Sequence, residues 1–296
     1  MKARSATIPK SWKTLSMGSL FSAVIYPILG VALLAVLLLV GLFVKSISLP
    51  LWYIPLCLGV IIFSVFICNA GIGPLHRIMQ HKAGELRKPA QFLTMLNLIV
   101  AMQGTVREWV NYHSQHHRFA DKPGDPHNPF ESKFWAWIGW IIWRDEIDSR
   151  RPMAMWLRHH KVVVWMDRFY HSLSVGVHFI LPAIIYLIVW TSGGSLMLTG
   201  LLHASFIIGR AIQFHATTYG INVLGHLKTP LWADYAMALL TGGEAFHDHH
   251  HDEPQSALHL PKKGFWNRVF DYNGTILLAF EKLGWVKDLK IAPRFS

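Results

Sequence analysis

Charged side chains are scarce in this chain of 296 residues, where Asp, Glu, Lys and Arg together make up 15%. A soluble domain usually carries about a quarter charged residues. Hydrophobic residues reach 52%, and the mean hydropathy is +0.30. The shortage of charge argues against a soluble domain and favours a protein that lies in a membrane.

Cysteine is also scarce: Cys57 and Cys68 are the two in the chain, and both fall in one apolar run. On one helix they would lie about 16 Å apart, too far for a disulfide. The sequence has no cysteine cluster for an iron–sulfur centre and no cytochrome-type haem motif. Electrons for any redox reaction must therefore come from a separate protein.

Acidic residues number 17 against 28 Lys and Arg, which gives a formal charge of +11. Nucleic-acid binding would require basic residues clustered with exposed aromatics on a soluble domain. Here the basic residues flank apolar runs, as in the cytoplasmic segments of membrane proteins. They are Lys2, Arg4, Lys10 and Lys13 before the first run, and Arg77, Lys82, Arg87 and Lys88 after the second. We expect membrane lipids as neighbours and no nucleic acid.

Four apolar runs are long enough to cross a bilayer, at about 20 residues per crossing. They cover residues 21–44, 51–70, 172–190 and 196–219. Short connections join the first two and the last two, which predicts two antiparallel hairpins. The first run exceeds the length of a signal-peptide core, so we interpret it as an anchor.

The remaining segments, 71–171 and 220–296, are polar and follow the basic ends of the spans. Two shorter apolar pieces, 92–102 and 134–143, suit buried or interface-lying helices. We therefore predict one domain, residues 1–296. Its fold is all-α and integral to the membrane: four transmembrane helices in two hairpins, a cytosolic helical cap, and both termini in the cytoplasm.

Histidine is the abundant residue, with 18 copies, and most of the informative ones fall in three clusters. The second and third clusters place histidines at i, i+3 and i+4, which share one helix face. The first pair, at i and i+5, would diverge by roughly 140° on an ideal helix and needs a helix end or bend. The clusters are His76 and His81; His113, His116 and His117; and His247, His250 and His251.

Converging imidazoles predict metal binding, because imidazole suits Zn, Cu, Fe and Ni. A structural zinc site closes with four ligands and generally recruits cysteine, so this many histidines favours two metal ions, with iron the most economical redox choice. Asn222 and His226, one helical turn apart, are further candidates. Ligating imidazoles also need acceptors on the second nitrogen, and nearby acids are Glu108, Asp121, Asp125, Glu244, Asp248 and Asp252.

The three clusters, H-x4-H, H-x2-H-H and H-x2-H-H in this order, resemble the membrane fatty acid desaturase family, in particular the stearoyl-CoA and bacterial Δ9 desaturases. Matching stretches include Gln103 with Glu108-Trp109 before the second cluster, Asp125-Pro-His127-Asn128 after it, and Gly243-Glu244 before the third. The resemblance covers roughly residues 71–289.

The resemblance implies two iron ions, O2 as co-substrate, and removal of two hydrogens from adjacent methylenes to leave a cis double bond. It implies a fatty acyl lipid or acyl-CoA substrate, an external electron donor of the ferredoxin, rubredoxin or cytochrome b5 type, and, we expect, a bacterial inner membrane. The implied metal ligands are His76, His81, His113, His116, His117, His226, His247, His250 and His251, with Asn222 acting through a water. The implied substrate tunnel contains Gln103, Trp109, Thr218 and Tyr219.

Three positions depart from the family pattern near the substrate. Asn111-Tyr112 stand where the family often has Arg-Asp, and Ser114 replaces its usual Arg. The pair Thr218-Tyr219 replaces Thr-Trp at a tunnel position. Loss of basic residues weakens the case for a CoA phosphate contact, and a smaller aromatic changes the tunnel's shape.

Two alternatives stay open from the sequence. A hydroxylase or a terminal-alkene-forming decarboxylase would use the same di-iron centre, and the sequence does not separate these from a desaturase. A His-rich metal transporter would place ionisable residues inside the spans. His178, His203 and Arg210 do lie there, but acids to match them are missing and the clusters lie outside the spans.

The remaining histidines are predicted to be structural or surface residues, and His127 is the candidate among them to support a metal ligand. They are His127, His159, His160, His171 and His259.

We predict that His116→Ala abolishes activity and iron loading, because one metal loses a ligand. His159→Ala, the control, should change neither. Iron content per purified chain and turnover of an acyl substrate measure both effects, and normal iron content in His116→Ala would contradict the ligand assignment.

Overall fold

The structure is a computed structural model that describes residues 13–44, 49–145, 157 and 159–296. The predicted basic flank at Lys2, Arg4 and Lys10 lies outside the described residues, as does most of the first hairpin connection. The N-terminal part of the predicted cytoplasmic side is therefore outside them as well.

The described residues are mostly helical, with four strands of two or three residues and irregular loops such as 120–132 and 253–264. The helices are α1 (Met17–Phe43), α2 (Tyr53–Gln80), α3 (Lys88–Ala101), α4 (Val106–Phe119), α5 (Trp135–Gly139 continued by Trp140–Ile142), α6 (Lys161–Thr191), α7 (Leu196–Asn222, followed by a 3₁₀ turn at Leu224–His226), α8 (Leu231–Thr241), α9 (His247–Asp252), α10 (Phe265–Phe270) and α11 (Tyr272–Lys282). This confirms the all-α prediction.

Helices α1, α2, α6 and α7 are long and apolar enough to cross a membrane. Their outward faces expose large apolar side chains, such as Leu42, Phe63 and Ile188, which lipid rather than water would solvate. The predicted membrane character is confirmed. The helices run beyond the apolar runs, however: α2 continues to Gln80 and α6 begins at Lys161. The hydropathy of a sequence shows where its apolar run ends. The helix itself can continue beyond that point, because its backbone hydrogen bonds do not depend on apolar side chains.

Small residues let α7 lie close to α1 and α2. A Cβ added to Gly209 would lie 2.5 Å from the Ile61 carbonyl oxygen, and one added to Gly30 would lie 2.5 Å from the Ile207 side chain. Such close backbone approach is how helices pack in a membrane, where apolar burial between helices gives little advantage over lipid.

A buried arginine ties this bundle to the cap. Arg210 on α7 donates hydrogen bonds to the carbonyls of Ala101, at the end of α3, and Ser22 on α1. Its guanidinium lies 5.5 Å from the Tyr26 ring centroid and 5.7 Å from that of Phe214. Carbonyl dipoles and aromatic faces therefore surround the cation in the apolar interior.

Two short antiparallel strand pairs close the cap. Strand β1 (Lys13–Leu15) pairs with β3 (Trp143–Asp145), and β2 (Glu85–Leu86) pairs with β4 (Val286–Lys287). Both pairs are too short for the alternating pattern that identifies a strand in a sequence. The second pair fastens the C-terminal segment to the residues that follow His81.

The predicted apolar pieces form α3 and α5. Helix α3 buries Met95, Leu98 and Ile99 while exposing Phe92 and Leu93, as expected of a buried or interface-lying helix. Helix α4 begins with a capping box in which Thr105 and Glu108 exchange side-chain and backbone hydrogen bonds. Such a box satisfies two donors at the helix start and sets the position of the histidines about two and three turns later.

The close approach of α7 to α2 generates a stability prediction. Gly209→Ala should lower the melting temperature of the detergent-solubilised protein, because the added methyl meets backbone that cannot move freely, at a cost of about 1–3 kcal/mol. Gly59→Ala on α2 is the matched control, since an added Cβ there meets nothing within 4 Å. Alanine's higher helix propensity should leave that variant unchanged or slightly more stable. Equal melting temperatures for the two variants would contradict this packing.

Candidate metal centre

Histidines from four separated stretches meet where the bundle joins the cap. They come from the end of α2, from α4, from the turn after α7, and from α9. Their nitrogens fall in two groups, each with all its atoms within 4.8 Å of one another. Group A is His76, His81, His113, His117 and His250, and group B is His116, His226, His247 and His251. Each group can hold a metal ion, and together they contain all nine predicted histidines.

A π-helical turn at Pro74–Gln80 brings the first pair together. Its bonds run from i+5 to i, as in the 3.1 Å hydrogen bond from the His81 amide to the His76 carbonyl. The two ring centroids are consequently 5.2 Å apart. The bend that the i, i+5 spacing requires is thus a widened helical turn, a feature that is rare and frequent at functional sites.

The nitrogen geometry in group A fits a bound cation. The Nε2 atom of His113 lies 3.1, 2.8 and 3.0 Å from the Nε2 atoms of His76, His81 and His117. One imidazole nitrogen offers either one proton or one lone pair, so it cannot hydrogen-bond to three others. Separations near 3 Å are those of neighbouring ligands about 2.0–2.1 Å from a shared ion. The donor set therefore fits a metal.

Group B has the same character with four ligands. The Nε2 atom of His251 lies 3.0 Å from Nε2 of His247 and 3.4 Å from Nε2 of His116. The Nε2 atom of His226 is buried, and the described residues give it no hydrogen-bond partner. A buried nitrogen that faces other nitrogens needs a partner for its lone pair. A metal ion bound between them satisfies this need.

Carboxylates fix the orientation of three of these rings. Glu244 Oε2 lies 2.7 Å from Nδ1 of His76, and Asp125 and Asp121 lie 3.0 Å from Nδ1 of His116 and His226. A carboxylate on Nδ1 holds the proton there and leaves the Nε2 lone pair free for metal. The other three acids have other positions in the described residues: Glu108 caps α4, Asp252 lies 3.6 Å from Arg294, and Asp248 is exposed.

A buried ion network supports Glu244. Arg77 contacts Glu244 Oε1 at 2.9 Å and Asp271 Oδ1 at 2.8 Å, and Asn273 donates to Glu244 at 3.0 Å. Burial alone raises the pKa of Glu244, but the Arg77 guanidinium and His76 outweigh it and hold the pKa well below its usual range. Glu244 is therefore ionised and remains a strong acceptor for His76.

Five of the candidate ligand histidines outside the spans are held in the neutral form that binds metal. Burial, followed by the neighbouring imidazoles, lowers the pKa of His113, His247 and His250 well below its ordinary value. The same causes lower the pKa of His117 to about 2 and that of His251 to about 4.

Sequence reasoning underestimated two further histidines. His127 is buried and stacks on His116 at 4.4 Å between ring centroids, with its Nδ1 3.7 Å from Asp125. His259, predicted to be structural or surface, is buried 5.4 Å from His250, with Nδ1 3.1 Å from the Gly243 carbonyl oxygen. The position of His127 two residues after Asp125 was a signal in the sequence for its role. His259 had no such signal, because only the fold places it beside His250. His159 is exposed, as expected.

A cavity of about 660 Å³ opens against both histidine groups. His76, His113, His116 and His247 form part of its wall, together with Asn222. The predicted tunnel residues Gln103, Trp109 and Thr218 also line it, as do the substituted positions Asn111 and Tyr112. The Trp109 ring stacks on His113 at 4.7 Å, and both side chains line the cavity.

Tyr219 is the predicted tunnel residue that the structure places elsewhere. Its side chain is 37% exposed, and its ring lies 5.9 Å from that of Trp137 rather than in the cavity lining. Thr217, Thr218 and Ile221 of the same helix do line the cavity. A direct role of Tyr219 in the substrate tunnel stays a prediction.

Proteins of similar sequence are desaturases. The chain is 26% identical over 240 residues to the sn-1 stearoyl-lipid 9-desaturase of Synechocystis sp., matching 78% of this chain and 71% of the relative. It is 25% identical over 233 residues to an acyl-CoA Delta-9 desaturase of Acheta domesticus, 75% of this chain and 63% of that protein. A stearoyl-CoA desaturase of Capra hircus is 28% identical over 188 residues, which cover 61% of this chain and 52% of that protein.

The chain is thus similar in sequence to fatty acid desaturases over most of its length. The similarity confirms the recognised resemblance and the predicted oxidoreductase class. The chain spans between 52 and 71% of the length of these three relatives. No protein-family model matches it.

The buried network predicts how the site responds to loss of one charge. Glu244→Gln keeps the size of the side chain but leaves Arg77 with one carboxylate fewer and weakens the hold on His76 Nδ1. Metal affinity should fall about 10–100-fold, the usual effect of removing such a partner. Metal content after dialysis against graded chelator concentrations measures it.

Glu253→Gln is the matched control, because Glu253 is exposed and lies close to the same cluster in sequence. It should retain metal like the unaltered protein. A Glu244→Gln protein that holds metal as tightly as this control would contradict the role assigned to the network.

Proposed function

We propose that this protein is an O2-dependent fatty acyl desaturase that inserts a cis double bond into an acyl chain. The observation that carries the proposal is the pair of histidine groups on the wall of a cavity large enough for an alkyl chain. The desaturase relatives support the same reaction class.

The proposed cofactor is a pair of iron ions, one held by His76, His81, His113, His117 and His250, and one by His116, His226, His247 and His251, with Asn222 acting through a water. When bound, the irons supply the redox chemistry by which O2, with two electrons from outside, oxidises a C–H bond. All-histidine ligation of redox iron suits imidazole's preference for this metal.

The protein's own contribution is to position the alkyl chain and exclude water. An alkyl chain offers no polar handle at its middle carbons, so cavity shape must select the carbons that face the metals. Apolar residues such as Ile72, Val175, Phe179 and Phe214 line the cavity. They keep the reacting methylenes dry and close to His76 and His116.

The lining also contains neutral polar groups, beside Glu108, and these suit the carrier end of the substrate. They include Ser16, Ser19, Asn111 and Tyr112. We propose that the acyl group is carried by a lipid or by CoA. The named relatives include one enzyme of each kind.

The electron donor is proposed to be a separate protein of the ferredoxin, rubredoxin or cytochrome b5 type. The rings of His81, His117 and His251 are half-buried, whereas His76, His113, His116, His247 and His250 are buried. The half-buried rings therefore offer the shortest route into the site from solvent. We place the protein in a bacterial inner membrane with both termini and this side of the site in the cytoplasm.

A hydroxylase or a decarboxylase that uses the same di-iron chemistry is the second candidate.

The metal transporter is the candidate of another class, and the residues that its pathway would use have partners inside the protein. His178 lies 3.3 Å from the Tyr26 hydroxyl oxygen, His203 lies 3.4 Å from that of Tyr186, and Arg210 binds carbonyls. These contacts support structural roles for them.

The product test separates the remaining candidates. Expression in a host of defined lipid composition should yield new cis-monounsaturated acyl chains, read by mass spectrometry with location of the double bond. The His116→Ala variant should yield none, since it loses a metal ligand. Hydroxylated or chain-shortened products in place of the alkenes would overturn desaturation.

A further inference from the structure

Two short helices of the predicted cytosolic cap expose large apolar side chains. On α8, Leu231 and Trp232 are 66% and 73% exposed, and on α10, Phe265 and Trp266 are 71% and 66% exposed. Leu239, about two helical turns after Trp232 and on the same face of α8, is 45% exposed. We call these five residues the aromatic ridge. Contiguous exposed apolar surface of this kind marks a contact with a partner or a membrane.

The two helices form one surface because their inner faces pack together. The rings of Tyr235 on α8 and Phe270 on α10 meet edge to face at 4.8 Å, and Tyr235 also meets Phe246 at 5.1 Å. Each helix is thus apolar on both sides, with one side in the cap and the other side exposed.

The contacts of α8 place it at the level of the membrane boundary. Asn69 on α2 donates a 2.6 Å hydrogen bond to the Leu240 carbonyl of α8, and Met237 packs against Gly220 of α7. Asn69 lies about 24 Å along α2 from Tyr53, at 1.5 Å per residue. A hydrocarbon core is about 30 Å thick, so this level is close to where the span leaves it.

Basic side chains flank the ridge. Lys228 precedes α8, Lys262 and Lys263 precede α10, and Arg268 lies on it, all exposed. The acids of these segments are engaged elsewhere: Asp234 accepts from Thr229 at 2.6 Å, and Asp271 binds Arg77 inside the cap. Aromatic side chains beside lysine and arginine are typical of surfaces that lie in the headgroup layer of a bilayer.

We propose that the aromatic ridge lies in the headgroup layer of the bilayer and that Lys228, Lys262, Lys263 and Arg268 bind anionic phospholipid headgroups there. The cap then contacts the membrane through its own helices as well as through the four spans. This contact is independent of the reaction proposed above.

The test measures depth with a fluorescent label on single cysteines. In a Cys57→Ala, Cys68→Ala background, Trp232→Cys and Trp266→Cys are labelled with an environment-sensitive dye. The full-length protein is reconstituted in phosphatidylcholine vesicles with and without phosphatidylglycerol. Quenching by a lipid-borne nitroxide is compared with quenching by aqueous iodide.

Two labelled positions calibrate the measurement. Phe63→Cys reports lipid, since Phe63 is 59% exposed on the outer face of α2. Lys287→Cys reports water, since β4 pairs with β2 beyond the end of α2. Metal content of each variant, compared with that of the unaltered protein, shows that the fold is retained.

Both ridge labels should be quenched by the lipid-borne nitroxide, and iodide quenching should be several-fold weaker than at Lys287→Cys. Phosphatidylglycerol should weaken the iodide quenching of both labels further. The double substitution Lys262→Glu, Lys263→Glu should abolish this effect of phosphatidylglycerol. Iodide quenching equal to that at Lys287→Cys would overturn the proposal. Shielding from both quenchers would overturn it in favour of a protein partner or a second copy, and depth insensitive to phosphatidylglycerol would overturn the headgroup assignment.

Discussion

The structure depends on holding nine imidazoles with their Nε2 atoms pointing at one another. Lone pairs about 3 Å apart repel when no cation lies between them. Burial keeps five of the rings, those of His113, His117, His247, His250 and His251, in the neutral form that binds a metal. What keeps the rings in place is a set of carboxylates behind them. Glu244, Asp125 and Asp121 bind the far nitrogens of His76, His116 and His226, so each ring is fixed from the side opposite the metal.

The ion network behind Glu244 extends this support into the fold. Arg77 is buried with both Glu244 and Asp271, and Asp271 also accepts the backbone amides of His259 and Gly274. The first histidine helix, the loop after the third cluster and the start of α11 therefore share one charge network. Removing one charge from such a buried group is costly, because its partner stays desolvated. The network couples assembly of the cap to correct placement of His76.

The four long helices provide the platform on which these ligands stand. Helix α7 packs against α1 and α2 through glycines and carries Arg210, which fixes the end of α3. Because α2 and α7 continue past the apolar runs, they deliver His76 and Asn222 above the lipid without an intervening loop. Ligands on continuous helices are positioned more rigidly than ligands on loops, as a site for oxidising an unactivated alkyl chain requires.

Much of this was predictable from the sequence for identifiable reasons. Spans are set by apolar run length, and the α4 and α9 histidines by helical periodicity, both of which are local. The need for a helix end or bend between His76 and His81 followed from their spacing, but its form as a π turn did not. The strand pairs and the roles of Arg77 and His259 were not predictable either, because they arise from contacts between residues far apart in the sequence. Sorting the nine histidines into five and four likewise required the fold, since His116 and His117 are sequence neighbours in different groups.

The central claim is that these imidazoles hold two irons, and X-ray absorption spectroscopy with metal analysis of the purified protein tests it most directly. The predicted result is two iron ions per chain, with nitrogen and oxygen neighbours at roughly 2.0–2.2 Å and the multiple-scattering signature of several imidazoles. A single metal per chain, or a first coordination sphere without imidazole scattering, would contradict it.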